Sequence, residues 1–144
     1  MVYVEDMGTI LDVSLEELES FLASEEHATA HLDDVRNFQV VETSGPTVVL
    51  TFERNLDGHW KKSSSRITSF PPYCQWIEEF EGDLAGSRFV GIHRPDGART
   101  QVDVFGDIQC QGKSPEETRT LWLNILAKTH REDVASLSRF RDRK

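Results

Sequence analysis

"SPEETRTLWLNILAKTHREDVASLSRF", residues 114 to 140, carries the most complete helix signature in the chain. Ser114, Pro115 and Glu117 fit the N-cap, N1 and N3 positions. The serine hydroxyl can accept the N3 amide, the glutamate can reach back to the cap amide, and a proline at N1 forfeits no intrahelical hydrogen bond. At about 100° per residue, Trp122, Ile125, Leu126, Thr129, Asp133, Leu137 and Phe140 fall along one broad stripe. The pattern predicts one long helix over residues 114–141 with a single buried face. The rest of the chain must supply the surface on which that face lies.

Residues 38 to 110 read as strands. "FQVVE" (38–42) is followed by Gly45-Pro46 and "TVVLTFE" (47–53), where Val48, Leu50 and Phe52 alternate against Val49, Thr51 and Glu53. "NLDG" (55–58) supplies an Asp-Gly turn, and "HWKKSSSRITSF" (59–70) continues as a polar strand carrying Trp60 and Ile67, with Ser63, Ser64 and Ser65 read as a solvated face. Pro71 and Pro72 interrupt pairing. "YCQWIEEFEG" (73–82), "SRFVGIHR" (87–94) and "ARTQVDVFGDIQC" (98–110) are three further strands, the last two joined at "PDG" (95–97). Connections of hairpin length predict an antiparallel meander. Thr100, Val102, Val104 and Ile108 fit its inner face and Arg99, Gln101 and Asp103 its outer face, while Gly91 and Gly106 within strands favour curvature.

Ahead of the meander, alternation at Val2/Val4 and Thr9/Leu11/Val13 marks a first strand within residues 2–13. Ser14 and Glu17 then form a capping box, Val13 can staple against Leu18, and Leu15, Leu18, Phe21 and Leu22 share the apolar face of a short helix. "SEEHATAHLDDV" (24–35) reads as a second short helix starting at Ser24.

The chain of 144 residues fits one domain, residues 1–144, and a domain of this size buries about 68 to 70% of its unfolded surface. With 38% hydrophobic and 28% charged residues, no apolar run approaches the roughly 18 residues needed to cross a bilayer. The opening "MVYVEDMGTI" lacks the features of a signal peptide, so the expectation is a soluble, cytoplasmic protein without stable membrane insertion. Cys74 and Cys110 have neither zinc-ribbon nor redox spacing and read as two buried thiols. A formal charge of -9, from 25 acidic and 16 basic residues, opposes binding to nucleic acid. The basic tip of Arg139, Arg141, Arg143 and Lys144 reads as a solvated terminus suited to the negative end of a helix. No feature specifies an oligomeric state.

Two stretches, "DVSLEELESFLASEEHATAHLDDVRNFQVVE" (12–42) and the terminal helix quoted above, resemble the two short helices with return strand and the final helix of the START-like superfamily. This superfamily, also called SRPBCC or polyketide cyclase-like, includes the birch-pollen-allergen type. The resemblance spans essentially the whole chain. It implies an α+β helix-grip fold: a curved antiparallel sheet wrapped around a long C-terminal helix, with two short helices after the first strand. It also implies a cavity used for lipids, sterols, polyketides or other hydrophobic molecules. The chain departs from the family pattern at Ser14, where members often have proline, and at "HATAH" (27–31), where an aromatic is common. These departures imply a more polar or differently shaped pocket mouth.

His27 and His31 are spaced i, i+4, so both imidazoles can reach one divalent ion from the same helix face. Ala28 stands where the zinc-protease pattern has its glutamate, and a third ligand would have to come from Glu25, Asp33, Asp34 or a distant segment. The sequence reading therefore assigns no metal and no cofactor, and turns His31 toward the cavity mouth. Trp60, Trp76 and Trp122 can stack on a flat ligand or pack as core; Phe89, Val102, Val104 and Leu126 give the cavity its shape. Thr129 and Asp133 are polar positions within the apolar stripe. A desolvated Asp133 could accept a ligand hydroxyl or act as general base, and otherwise it faces water or pairs with Arg131, Arg139 or Lys128. No nucleophile elbow, phosphate loop or dinucleotide fingerprint is present. The function expected first is binding of a hydrophobic or aromatic small molecule or lipid in the internal cavity. A cyclase, dehydratase or hydrolase acting there, or a partner-binding regulator, is the alternative.

Overall fold

The computed structural model describes residues 1–71 and 73–143; Pro72 and Lys144, to which the sequence assigned a strand break and part of the basic tip, lie outside the described residues. The elements run β1 (Val2–Leu11), α1 (Leu15–Leu22), α2 (Glu25–Ala28), β2 (Val35–Ser44), β3 (Thr47–Leu56), β4 (His59–Phe70), β5 (Cys74–Glu81), β6 (Arg88–Asp96), β7 (Arg99–Ile108) and α3 (Pro115–Asp142). The strands form one seven-stranded antiparallel sheet in the order β1-β7-β6-β5-β4-β3-β2. Only the β1–β7 neighbours are distant in sequence, because α1 and α2 carry the chain from one sheet edge to the other. The sheet curves around α3, which packs chiefly on β1 and α2. This is the helix-grip α+β architecture.

Local chemistry sets the boundaries. Ser114 and Glu117 form both halves of a capping box at α3. At α1 the Ser14 hydroxyl accepts the Glu17 amide at 3.2 Å, but the Glu17 carboxylate expected to complete the box pairs with Arg141 at 3.0 Å. Asp57 and Gly58 both adopt positive φ, 54° and 83°, as a two-residue turn matched to the twist of β3 and β4 requires. The β6–β7 strands run through Pro95 and Asp96, so the turn falls on Gly97 and Ala98 rather than on residues 95–97. Register shifts between Asp6 and Thr9 and along β2 mark bulges that bend the sheet edges. Gly106 serves close approach: a Cβ there would lie 2.2 Å from the Arg88 carbonyl oxygen and 2.5 Å from the Phe89 Cα. Gly91 has open space around it.

The apolar core is divided in two. One cluster holds Val4, Leu56, Leu84, Ile108, Cys110 and Trp122; the other holds Leu11, Val13, Leu18, Phe21 and Leu137. Trp122 and Leu137 anchor α3 in the two clusters, about 22 Å apart along the helix at 1.5 Å per residue. The stretch between them, with Leu126, Thr129 and Asp133, is only partly buried. Both cysteines are free, Cys110 buried and Cys74 half-buried.

Three surface expectations are corrected. Ser63, Ser64 and Ser65 are buried, not solvated, and two of them bond carboxylates on β5: Ser64 to Glu81 and Ser65 to Glu79, each at 2.6 Å. Asp103 sits on the outer sheet face yet is only 1% exposed, because the bulged β1 folds over it. The basic tip is engaged: Arg141 bonds Glu17 and the Asp12 carbonyl, and Arg143 pairs with Glu26, so these cations clasp α3 to the first two helices.

Burial by itself would raise the Asp103 carboxyl, but the Gly8 amide (2.8 Å), Gln101 (2.9 Å) and Arg94 (2.8 Å) outweigh it and hold its pKa below the ordinary value of 3.8. Its contribution to stability is therefore complete above that ordinary value and disappears as pH falls through the lower folded value. Asp103→Ala is expected to lose about 2–4 kcal/mol at neutral pH and to flatten the acid limb of stability against pH, measured by urea unfolding. Gly106→Ala should destabilise through backbone displacement at Arg88, read as a lowered Tm.

Candidate functional site

A half-open cavity of about 360 Å³ lies between the end of β3, the turn after α2 and the face of α3. Leu56, Leu121, Ile125, Leu126 and the Trp122 ring give it apolar walls, and His31, Arg54, Asn55, Lys128 and Thr129 add polar ones. Arg54 reaches it from β3, where strand alternation puts Phe52, Arg54 and Leu56 on one face. One guanidinium nitrogen donates to Glu79 at 2.8 Å, and Glu79, only 4% exposed, also accepts the Ser65 hydroxyl. The other terminal nitrogen, Nη1, is buried without a partner among the described residues, as are Asn55 Oδ1 and Trp122 Nε1. Asn55 is held by its amide nitrogen, which donates to the Asp33 carbonyl at 3.2 Å, and Trp122 by an edge contact with Phe89 at 4.8 Å.

The opening of the cavity borders a histidine–carboxylate cluster. α2 ends at Ala28, so His27 is helical and His31 lies in the following turn, yet their rings meet edge to face at 5.7 Å. His31 Nδ1 lies 2.9 Å from Glu132 Oε1, and its Nε2 lies 2.8 Å from Asp133 Oδ1. His27 Nε2 approaches the same Asp133 oxygen at 3.9 Å. Burial pulls the His31 pKa down, but hydrogen bonds and charge from Asp133 and Glu132 prevail and lift it to about 9. At His27 burial prevails over the more distant Asp133 and lowers the pKa. Burial likewise lowers His93, nearby on β6.

Asp133 is thus half-buried and paired with His31 rather than with the cations considered from the sequence. Lys128 bonds Asp34 at 2.9 Å and Arg139 bonds Ser136 at 2.8 Å. Asp133 lines a second, smaller cavity of about 110 Å³ together with Val102, Val104 and His93. Leu126 and Thr129 belong to the walls of both cavities, and His31 and Trp122 to the larger one. Trp60, Trp76 and Phe89 line neither cavity. Trp60 stacks under the Arg36 guanidinium at 3.8 Å beside a separate surface pocket, Trp76 pairs across β5 with Thr68 and Val90, and Phe89 packs against Trp122 in the core. Sequence reasoning missed Arg54 and Asn55. The available signal was a charge in the Phe52–Arg54–Leu56 series, whose other members are buried.

No protein-family model matches the sequence, and no curated protein matches it at a significant level. Solved structures do match. A START superfamily protein from Mycobacterium smegmatis superposes with a TM-score of 0.74 at 13% identity, covering 96% of this chain and 98% of that one. The Zhui aromatase/cyclase from a Streptomyces species superposes with a TM-score of 0.70 at 13% identity, covering 94% and 90%. The chain has the START-like fold. The lipid transfer and protein localization domain of human StarD13 is a further START-like neighbour, with a TM-score of 0.65 at 14% identity over 90% of this chain and 74% of that one. At these identities the likeness is one of fold.

The His31–Asp133 contact joins the turn after α2 to α3 across 102 residues of sequence. A double-mutant cycle with His31→Gln and Asp133→Asn, measured by urea unfolding at pH 7, is expected to return a coupling of about 1–3 kcal/mol, the range of a partly buried charge-assisted hydrogen bond. A coupling near zero would show that the two side chains do not hold α2 against α3.

Proposed function

We propose that this START-like chain binds a hydrophobic or aromatic small molecule or lipid carrying oxygen substituents, held in the larger cavity beside α3. The observation that carries this reading is the largely apolar cavity wall formed by Leu56, Leu121, Trp122, Ile125 and Leu126, interrupted by the polar side chains of His31, Arg54, Asn55, Lys128 and Thr129. Three polar atoms of these lining residues are buried without a partner among the described residues: the donors Arg54 Nη1 and Trp122 Nε1, and the acceptor Asn55 Oδ1. Leaving such a group unsatisfied costs about 1–3 kcal/mol, so a side-chain rotation that turned Arg54 or Trp122 toward a bound carbonyl or carboxylate, or Asn55 toward a hydroxyl, would recover stabilisation that apolar contact cannot provide.

The cavity volume lies at the small-molecule end of the usual 300–1,000 Å³ range. It suits a compact aromatic or a single acyl chain. Leu126, Trp122, Thr129 and His31 are the proposed contacts, and Asp133, Val102 and Val104 join them where a ligand extends into the smaller cavity. Trp60, Trp76 and Phe89 are outside the proposed contact set. Among the START-like neighbours, one is named an aromatase/cyclase and another a lipid transfer domain, both consistent with an internal hydrophobic ligand.

The test uses 1-anilinonaphthalene-8-sulfonate, which combines an aromatic body with acidic oxygens. Binding should raise its fluorescence at one site, and Leu126→Trp should abolish the signal by filling the cavity. Trp122→Phe, which keeps the ring packing and removes the N–H, should weaken binding about tenfold, or roughly 1.4 kcal/mol. Trp60→Phe should leave binding unchanged. Binding insensitive to Leu126→Trp would overturn the reading.

A further inference from the structure

We infer that His27, His31 and Asp133 form a binding site for one divalent first-row transition-metal ion, with zinc as the reference case. Their ligand atoms lie within 4.8 Å of one another. Donors in neighbouring positions on a tetrahedral ion with bonds of about 2.0–2.2 Å sit roughly 3.3–3.6 Å apart. The observed separations from Asp133 Oδ1, 2.8 Å to His31 Nε2 and 3.9 Å to His27 Nε2, bracket that range. Side-chain adjustments of about half an ångström would equalise them. An ion pair alone accounts for His31, but not for His27, whose Nε2 approaches the same carboxylate oxygen from beyond hydrogen-bond distance.

The outer surroundings supply an independent observation. A ligating imidazole characteristically donates its other N–H to a carboxylate or backbone carbonyl, which fixes the ring and its tautomer. Here Glu132 lies 2.9 Å from His31 Nδ1, and the Phe21 ring meets the His27 ring edge to face at 5.4 Å. Both imidazoles are therefore oriented by a second contact. The sequence reading set a metal aside for want of a third ligand, and α3 brings that ligand from a distant segment. Two imidazoles and one carboxylate suit zinc, nickel, cobalt or iron(II) better than magnesium or calcium, which favour all-oxygen sets. Three protein ligands leave a position for water or a ligand oxygen; His31 lines the larger cavity and Asp133 the smaller one. With Ala28 in place of the zinc-protease glutamate, the site carries no adjacent general base of that kind.

The test titrates zinc chloride into full-length, chelator-stripped protein by calorimetry, and then cobalt(II) with proton NMR. One equivalent of zinc should bind with a dissociation constant on the order of a micromolar or tighter. His31→Ala should abolish binding, and Glu132→Gln should weaken it by about 10–100-fold, the usual effect of removing an orienting partner. Cobalt(II) should shift the imidazole resonances of His27 and His31 in the unmutated protein, a readout independent of whether a variant folds. No saturable zinc binding, or cobalt shifts confined to His59, His93 or His130, would overturn the inference. Binding of 1-anilinonaphthalene-8-sulfonate without zinc reports the cavity separately, so either reading can fail alone.

Discussion

α3 is held at two points, and the rest of the structure depends on that arrangement. Near its start Trp122 enters a cluster built by β1, β3 and β7, and near its end Leu137 enters another built by β1, α1 and the segment between them. A helix fixed at both ends over a curved sheet cannot also touch the sheet along its whole middle. The intervening positions border space instead of packed side chains, and Leu126 and Thr129 border it on two sides. The cavities therefore follow from the geometry of clamping a straight rod against a bent surface.

That geometry also explains where polar groups are tolerated. Arg54, Glu79 and Ser65 come from three neighbouring strands and are linked across the sheet through the Glu79 carboxylate, which holds one end of the guanidinium at the cavity wall while Nη1 stays without a partner among the described residues. Asp103 is covered from the other side of the sheet by the bulged β1 and compensated by three donors. The histidine–carboxylate cluster lies where α2, too short to be stable alone, leans on α3. Its charged contacts, together with Lys128–Asp34 in the turn that follows and the Arg143–Glu26 clasp, substitute for the apolar area that a four-residue helix cannot bury. Some of the side chains that fasten this segment, His31, Asp34, Lys128 and Asp133, also line the two cavities.

Much of the fold was legible because its signals are local. Ser114-Pro115-x-Glu117, Val13 with Leu18, and Asp57-Gly58 each act over a few residues, and the structure places a helix start, a buried staple and a hairpin turn at those positions. The site was legible only in part. A helical wheel puts Asp133 on the inward stripe but cannot supply its partner, which comes from 102 residues away. Arg54 lay within a strand whose alternation was visible, yet its burial depends on Glu79 from β5 and on α3 closing over it. Ser63 to Ser65 looked like a wet face because composition says nothing about what the adjacent strand delivers.

The sequence by itself determined which segments are helices and strands, their order, and the single amphipathic face around which they assemble, since capping, turn conformation and periodicity are properties of neighbouring residues. The tertiary structure decided which polar side chains are buried, which of them find partners, and where unfilled space remains. Those outcomes depend on strand register, sheet curvature and the angle at which α3 crosses the sheet, and they are fixed only when residues far apart in the chain compete for the same volume.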